Sequence, residues 1–203
     1  MRTLTRWYWI RHAPAVDHDG RLYGQRDVDC DCSDAPAMAA LARAIPTDAV
    51  WVTTPLKRTR ETAAAIRKAE EGAALGAEPI VEPLLMEQNF GAWQGQKRSE
   101  VIKHRTWIAA AEEVPPGGEN FVSVMMRVRC AIERMNQEYM GRDIVAVAHG
   151  GTIRSALGVA LDLAPELALA FAVDNLSLTV LERFSETGRS HDWRVVTVNR
   201  PPR

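Results

Sequence analysis

Three short apolar runs that each end in chemistry-bearing polar residues constrain this chain more than anything else in it. They are RWYWIRH (6–12), DAVWVTT (48–54) and DIVAVAHG (143–150). Each reads as a buried strand, and helical patterns separate them. SDAPAMAALARAI (33–45) has Ser33 or Asp34 placed to cap a helix. PLKRTRETAAAIRKAEEGA (55–73) has Thr54 as a candidate cap and Pro55 at the favoured first position. A short strand is expected in PIVEP, then helices over 97–113 and 120–140 around the turn-forming PPGG, and a helix in TIRSALGVAL. LSLTVLERF and WRVVTVNR close the chain as strands able to pair antiparallel.

Strands alternating with helices predict an α/β fold: a three-layer sandwich with a mostly parallel central sheet flanked by helices and one antiparallel edge strand. Residues 1–203 are expected to form a single domain, with about 85–140 a helical insertion over the active site. In such sheets ligands bind beyond the carboxyl ends of the strands. Arg11 and His12, Arg58 just past the second strand, and His149 with Gly150 should therefore meet at one edge.

Composition narrows what could bind there. The formal net charge is −1, so nothing suggests electrostatic capture of nucleic acid or an acidic membrane. Any anion must be met by local positive charge. Three cysteines do not make a disulfide framework, and Cys30 and Cys32 have no second pair at zinc-site spacing, so reduced thiols in a cytoplasmic protein are expected. The apolar run 7–10 is too short for a signal-peptide core, and the longest later one is broken by Arg154, Asp162, Pro165 and Glu166. DHDG at 17–20 suggests a calcium loop only superficially, because Ala15 and Arg26 occupy ligand positions.

Taken singly, each polar feature has a structural explanation. Two histidines, two arginines and a helix N-terminus converging at one edge suit a phosphoryl group. Its charge spreads over three oxygens, which guanidinium forks and backbone N–H groups can hold. A neutral imidazole can attack phosphorus and split hydrolysis into two easier steps. A carboxylic acid must protonate the leaving alkoxide and later activate water; Glu87 in LLMEQNFGAWQG is the candidate. Tyr23 and Trp93, with Phe90, could stack on a substrate ring, and Gln25 could contact substrate.

Five segments in order carry a resemblance. IRHAP resembles the Arg-His-Gly opening of the histidine phosphatase (phosphoglycerate mutase-like) superfamily, and TTPLKRTRETA its Ser-Ser-Pro-Leu-x-Arg segment. LMEQNFGAWQG is similar to its Glu-x-x-x-Gly-x-Trp-Glu-Gly segment, PPGGEN to Pro-Gly-Gly-Glu-Ser, and VAHGGTIR to its second histidine motif. The resemblance implies His12 as the phosphorylated nucleophile, Arg11, Arg58 and His149 with Gly150 as the phosphate pocket, and Glu87 as proton donor. It also implies no metal and no cofactor. The short 97–114 stretch points to the phosphatase branch rather than the mutases, and RLYGQRDV is also similar to α-ribazole-5′-phosphate phosphatases. The implied partner is a small-molecule phosphate ester, with neither nucleic acid nor membrane, and the protein a monomer or homodimer. Competing readings are a mutase-type phosphotransferase and an inactive phosphate-binding module on the same fold. The sequence departs from the pattern at Ala13, where a glycine is usual, and at Asp17 and His18, where an asparagine usually meets phosphate. A negative φ is expected at Ala13, since Pro14 drives it to extended backbone.

Overall fold

The first strand decides how the layers form. In β1 (Leu4–Arg11) side chains alternate between faces, so Trp7 and Trp9 project to one side and Tyr8 and Ile10 to the other. Trp7 and Trp9 stack with ring centroids 4.8 Å apart and lie fully buried. The computed structural model describes residues 3–16, 19–69, 77–101, 111–185 and 192–202. In chain order the elements are β1, α1 (Ala35–Ala44), β2 (Val50–Thr53), α2 (Lys57–Lys68), β3 (Ile80–Val81), α3 (Arg98–Val101), α4 (Phe121–Glu138), β4 (Asp143–Ala148), α5 (Gly150–Leu161), α6 (Pro165–Leu169), β5 (Leu178–Phe184) and β6 (Trp193–Arg200). Two single 3₁₀ turns, Pro83–Leu85 and Gly91–Trp93, lie between β3 and α3.

The sheet order is β3-β2-β4-β1-β5-β6. Strands β1 to β4 are parallel; β5 runs antiparallel to both β1 and β6, so the antiparallel pairings gather at one side of the sheet. Tyr8, Ile10, Val145 and Val147 pack against α1 and α2, while Trp7, Trp9, Ile144 and Ala146 pack against α4 and α5. The result is the expected α/β/α sandwich. Helix α4 falls within 85–140 and packs into the core, with Val124, Val128, Ala131 and Met135 buried.

Of the local expectations at helix starts, one holds and one changes. Asp34 does cap α1, accepting from Ala37 N at 3.0 Å. Thr54 does not cap α2: Leu56 is the residue before its first turn, and Thr54 Oγ1 turns inward to His149. Of the helix expected over 97–113, Arg98–Val101 are helical as α3 and 111–112 form a turn; 102–110 lie outside the described residues, as do Asp17 and His18. Cys30 and Cys32 are free thiols, their sulfurs 3.5 Å apart. No helix among the described residues is long and apolar enough to cross a membrane.

Candidate active site

Strand register assembles the floor of the site. Arg11 pairs with Ala148, so the next residues, His12 and His149, emerge side by side at the carboxyl edge. Their rings meet edge-on, 5.3 Å apart, and both are buried. The His12 loop is held from three sides: its N–H donates to Ala148 O at 3.0 Å, its carbonyl accepts from Asn175 Nδ2 at 2.8 Å, and Ala13 N–H donates to Thr62 Oγ1 at 2.9 Å. Ala13 is not among the residues with positive φ. Its methyl is fully buried, and the loop tolerates alanine in place of the usual glycine.

His12 Nδ1 lies 2.7 Å from the Ala13 carbonyl, which can only accept, so Nδ1 carries the proton and Nε2 presents a lone pair. Arg58 Nε donates to that Nε2 over a long 3.3 Å. The rest of the Arg58 guanidinium donates to Gly24 O at 2.7 Å and Arg26 O at 2.9 Å, with the Tyr23 ring 4.9 Å from its central carbon. Burial first, and the Arg58 charge next, hold His12 and His149 well below the usual imidazole range. Both imidazoles are therefore neutral at physiological pH. Thr54 Oγ1 engages His149 Nε2 at 3.0 Å, which leaves His149 Nδ1 buried without a partner; Arg11 Nε is likewise unpartnered while its Nη1 donates to Val173 O at 2.7 Å. Buried polar atoms left without a partner are costly unless a ligand completes them.

Above this floor lies a cavity of about 300 Å³, lined by Arg11, Tyr23, Glu87, Phe90, Gly150 and Arg154 among others. Glu87 reaches the N-terminus of α5: its Oε2 accepts from Gly151 N at 3.2 Å, and its Oε1 from Gln88 N at 2.9 Å. A Cβ at residue 151 would stand 2.2 Å from Glu87 Oε1, so the second glycine of His-Gly-Gly is what admits the carboxylate. Arg127 of α4 fixes the loop that carries it. This side chain donates to Leu84 O (2.6 Å), Met86 O (2.7 Å) and Glu87 O (3.0 Å), and is itself held by both Glu119 oxygens.

Of the residues anticipated from sequence, His12, His149, Arg58, Arg11, Gly150, Glu87 and Tyr23 are brought together. Gln25 and Trp93 do not line the cavity. Gln25 is a brace instead, its Nε2 donating to Glu87 O at 2.9 Å, and Trp93 sits in the outer 3₁₀ turn. Sequence reasoning missed Thr54 and Arg154 as site residues. Arg154 was visible as a cation one turn after His-Gly-Gly; Arg127 carried no comparable signal. Among the described residues no group of three or more His, Cys, Asp or Glu could hold a metal ion.

Known proteins share sequence and fold with this chain. The profile of the histidine phosphatase superfamily (branch 1) matches residues 7–196. A bifunctional protein of Mycobacterium tuberculosis is 31% identical over 147 residues, 70% of this chain and 39% of the relative, so the chain spans well under half of that protein. Phosphoserine phosphatase 1 of Hydrogenobacter thermophilus is 28% identical over 181 residues, 85% of this chain and 83% of the relative. A solved mycobacterial glucosyl-3-phosphoglycerate phosphatase shares the fold, with a TM-score of 0.80 at 24% identity over 97% of this chain and 99% of the other.

Proposed function

The chain belongs to the histidine phosphatase superfamily, branch 1, and from that premise we propose that it is a phosphomonoesterase acting on a small phosphate ester through a phosphohistidine on His12. The observation that carries this reading is the state of His12: neutral, its Nδ1 proton committed to Ala13 O, its Nε2 lone pair facing Arg58. A nucleophile held this way needs no base to activate it.

In the first step Nε2 attacks phosphorus as the bond to the ester oxygen breaks, and Glu87 gives its proton to the departing alkoxide. The phosphoryl oxygens meet the buried atoms left without a partner at rest, Arg11 Nε and, in the tautomer that carries its proton there, His149 Nδ1, together with Arg58 and the α5 N-terminus. In the second step Glu87, now a carboxylate, accepts a proton from water, whose oxygen attacks the phosphoryl group and releases His12 and inorganic phosphate. The transition-state charge that a metal supplies in other phosphatases falls here to fixed guanidinium groups.

The test is phosphate release from p-nitrophenyl phosphate and small phosphate esters by protein stripped with a chelator, alongside trapping of an acid-labile, base-stable phosphoenzyme. Both signals are expected, with His12→Ala losing the phosphoenzyme and at least about 10³-fold in turnover. Isomerisation of 3-phosphoglycerate that depends on a bisphosphate primer, without free phosphate, would replace this reading with the mutase one. Ester binding without turnover would replace it with the inactive module.

A further inference from the structure

His149 stands at the end of a run of hydroxyls whose hydrogens follow from their partners. Thr59 Oγ1 lies 2.8 Å from Leu56 O and 3.2 Å from Thr54 O. Both are carbonyls, which only accept, so the single hydroxyl hydrogen of Thr59 is directed to them. Its two lone pairs then accept from Thr54 N at 3.2 Å and from Thr54 Oγ1 at 2.9 Å. The hydrogen between the two hydroxyls is therefore the one on Thr54. With that hydrogen committed, Thr54 Oγ1 can only accept, from Leu56 N at 3.3 Å and from His149 Nε2 at 3.0 Å. A neutral imidazole carries one N–H, so it sits on Nε2, and the buried, unpartnered Nδ1 of His149 is a bare lone pair.

A dianionic phosphoryl oxygen brought against that atom would set lone pair against lone pair. The free protein supplies no proton to Nδ1. Burial, then Arg58 from α2, His12 from the loop after β1, Arg127 from α4 and Arg11 from β1, hold the imidazole well below its ordinary range. Glu87, accepting from Gly151 N, is the carboxylate on the α5 side. The charge of an arriving phosphoryl group offsets those cations and makes a proton on Nδ1 favourable.

We propose that Thr59, acting through Thr54, holds His149 as the Nε2–H tautomer, and that the site therefore takes up a phosphoryl group together with a proton, held between a phosphoryl oxygen and His149 Nδ1. The inference rests on the phosphatase reading above for placing the phosphoryl group there. The proton arrives as the P–OH of a monoanionic ester, or from solvent when the ester is a dianion, and it leaves with inorganic phosphate. Thr54 and Thr59 are positioning residues, since neither lines the cavity.

Nitrogen NMR of histidine-labelled protein reads the tautomer, with His149 assigned by the signals lost in His149→Gln. The free protein is expected to carry hydrogen on Nε2 and none on Nδ1. Thr59→Val removes the acceptor of the Thr54 hydroxyl and should move the hydrogen to Nδ1, whereas Thr59→Ser should leave it in place. Calorimetry of inorganic phosphate binding in buffers of different ionisation heat counts the proton, in the Glu87→Gln background so that this carboxyl contributes nothing. Above the second pKa of phosphate, uptake of about one proton and a loss of affinity of about tenfold per pH unit are expected. Adding Thr59→Val should remove that uptake and flatten the pH profile. An Nδ1–H in the free wild-type protein, no uptake, or an uptake unmoved by Thr59→Val would overturn the proposal while leaving the phosphatase reading intact. If Thr59→Val does not fold, the wild-type spectrum and the pH slope decide. If phosphate does not bind and no ester is hydrolysed, p-nitrophenyl phosphate included, the phosphatase reading fails and the uptake with it, while the spectrum of the free protein still decides the tautomer.

Discussion

On the floor of the cavity, His12 and His149 stand on neighbouring strands whose pairing runs residue by residue from Arg6 opposite Asp143 to Arg11 opposite Ala148. On the wall, Glu87 stands on a loop with no strand partner, held by Arg127 from one helix, Gln25 from another loop and Gly151 N from a third element. The floor is buried and its geometry follows from backbone ladders. The wall is assembled by side chains that reach across from distant segments. Strand register can place a nucleophile and its phosphate donors with little freedom, because a slip by one residue would turn every side chain to the opposite face. A wall held by side chains can change one residue at a time.

Substitutions on the wall should expose that division. Glu87→Gln is expected to slow hydrolysis of alkyl phosphates by about 10²–10⁴-fold, and of p-nitrophenyl phosphate far less, since that leaving group departs without a proton. Arg127→Ala touches no substrate but releases three carbonyls around Glu87. It should reproduce the same leaving-group pattern at about 10- to 100-fold, with a loss of about 1–3 kcal/mol in stability from the groups left unpaired. Equal slowing of both ester types by Arg127→Ala would show that the latch serves the fold and not the acid.

The floor has its own signature in pH. His12 and His149 are depressed well below the ordinary value of about 6.5, so below that pH the unfolded chain binds protons that the folded one refuses. Stability should be unaffected by these groups above about 6.5 and should fall as pH drops beneath it. Urea midpoints between pH 7.5 and 5 measure this, and His149→Gln should flatten the slope. A slope unchanged in that variant would mean that carboxylates elsewhere set the acid limb.

The smallest effect is expected at Ala13. Because φ is not positive there, Ala13→Gly should leave kcat/KM within about twofold and cost about 0.5–1 kcal/mol in denaturant unfolding, through the entropy of the unfolded chain. A gain in activity would show that the alanine strains the loop.

Most of the floor could be read before any coordinates. WYWIRH and VAVAHGG announce buried strands by their apolar runs, and the convergence of polar residues at such ends, rather than any one of them, points to function. Thr54 was misread because its position before Pro55 satisfies the local rule for a helix cap, whereas its hydroxyl is shared between Thr59 Oγ1 at 2.9 Å and His149, 95 residues away, at 3.0 Å. Gln25 and Trp93 were misplaced for a related reason: a side chain's chemistry says what it can bind, and only packing says which way it faces. Cys30 and Cys32 were read as reduced and are free thiols in the structure.

By itself, the sequence determined the layer order, the strand ends and the residue types of a phosphate site, since periodicity and local composition are enough to dictate these. The tertiary structure alone decided which nitrogen of His12 is free, that Glu87 rests on Gly151, that Arg127 holds it there, and that Arg154 and Arg11 approach one point beside Gly150. Those are contacts between segments far apart in the chain. Their distances depend on how helices pack on the sheet, which no local pattern records.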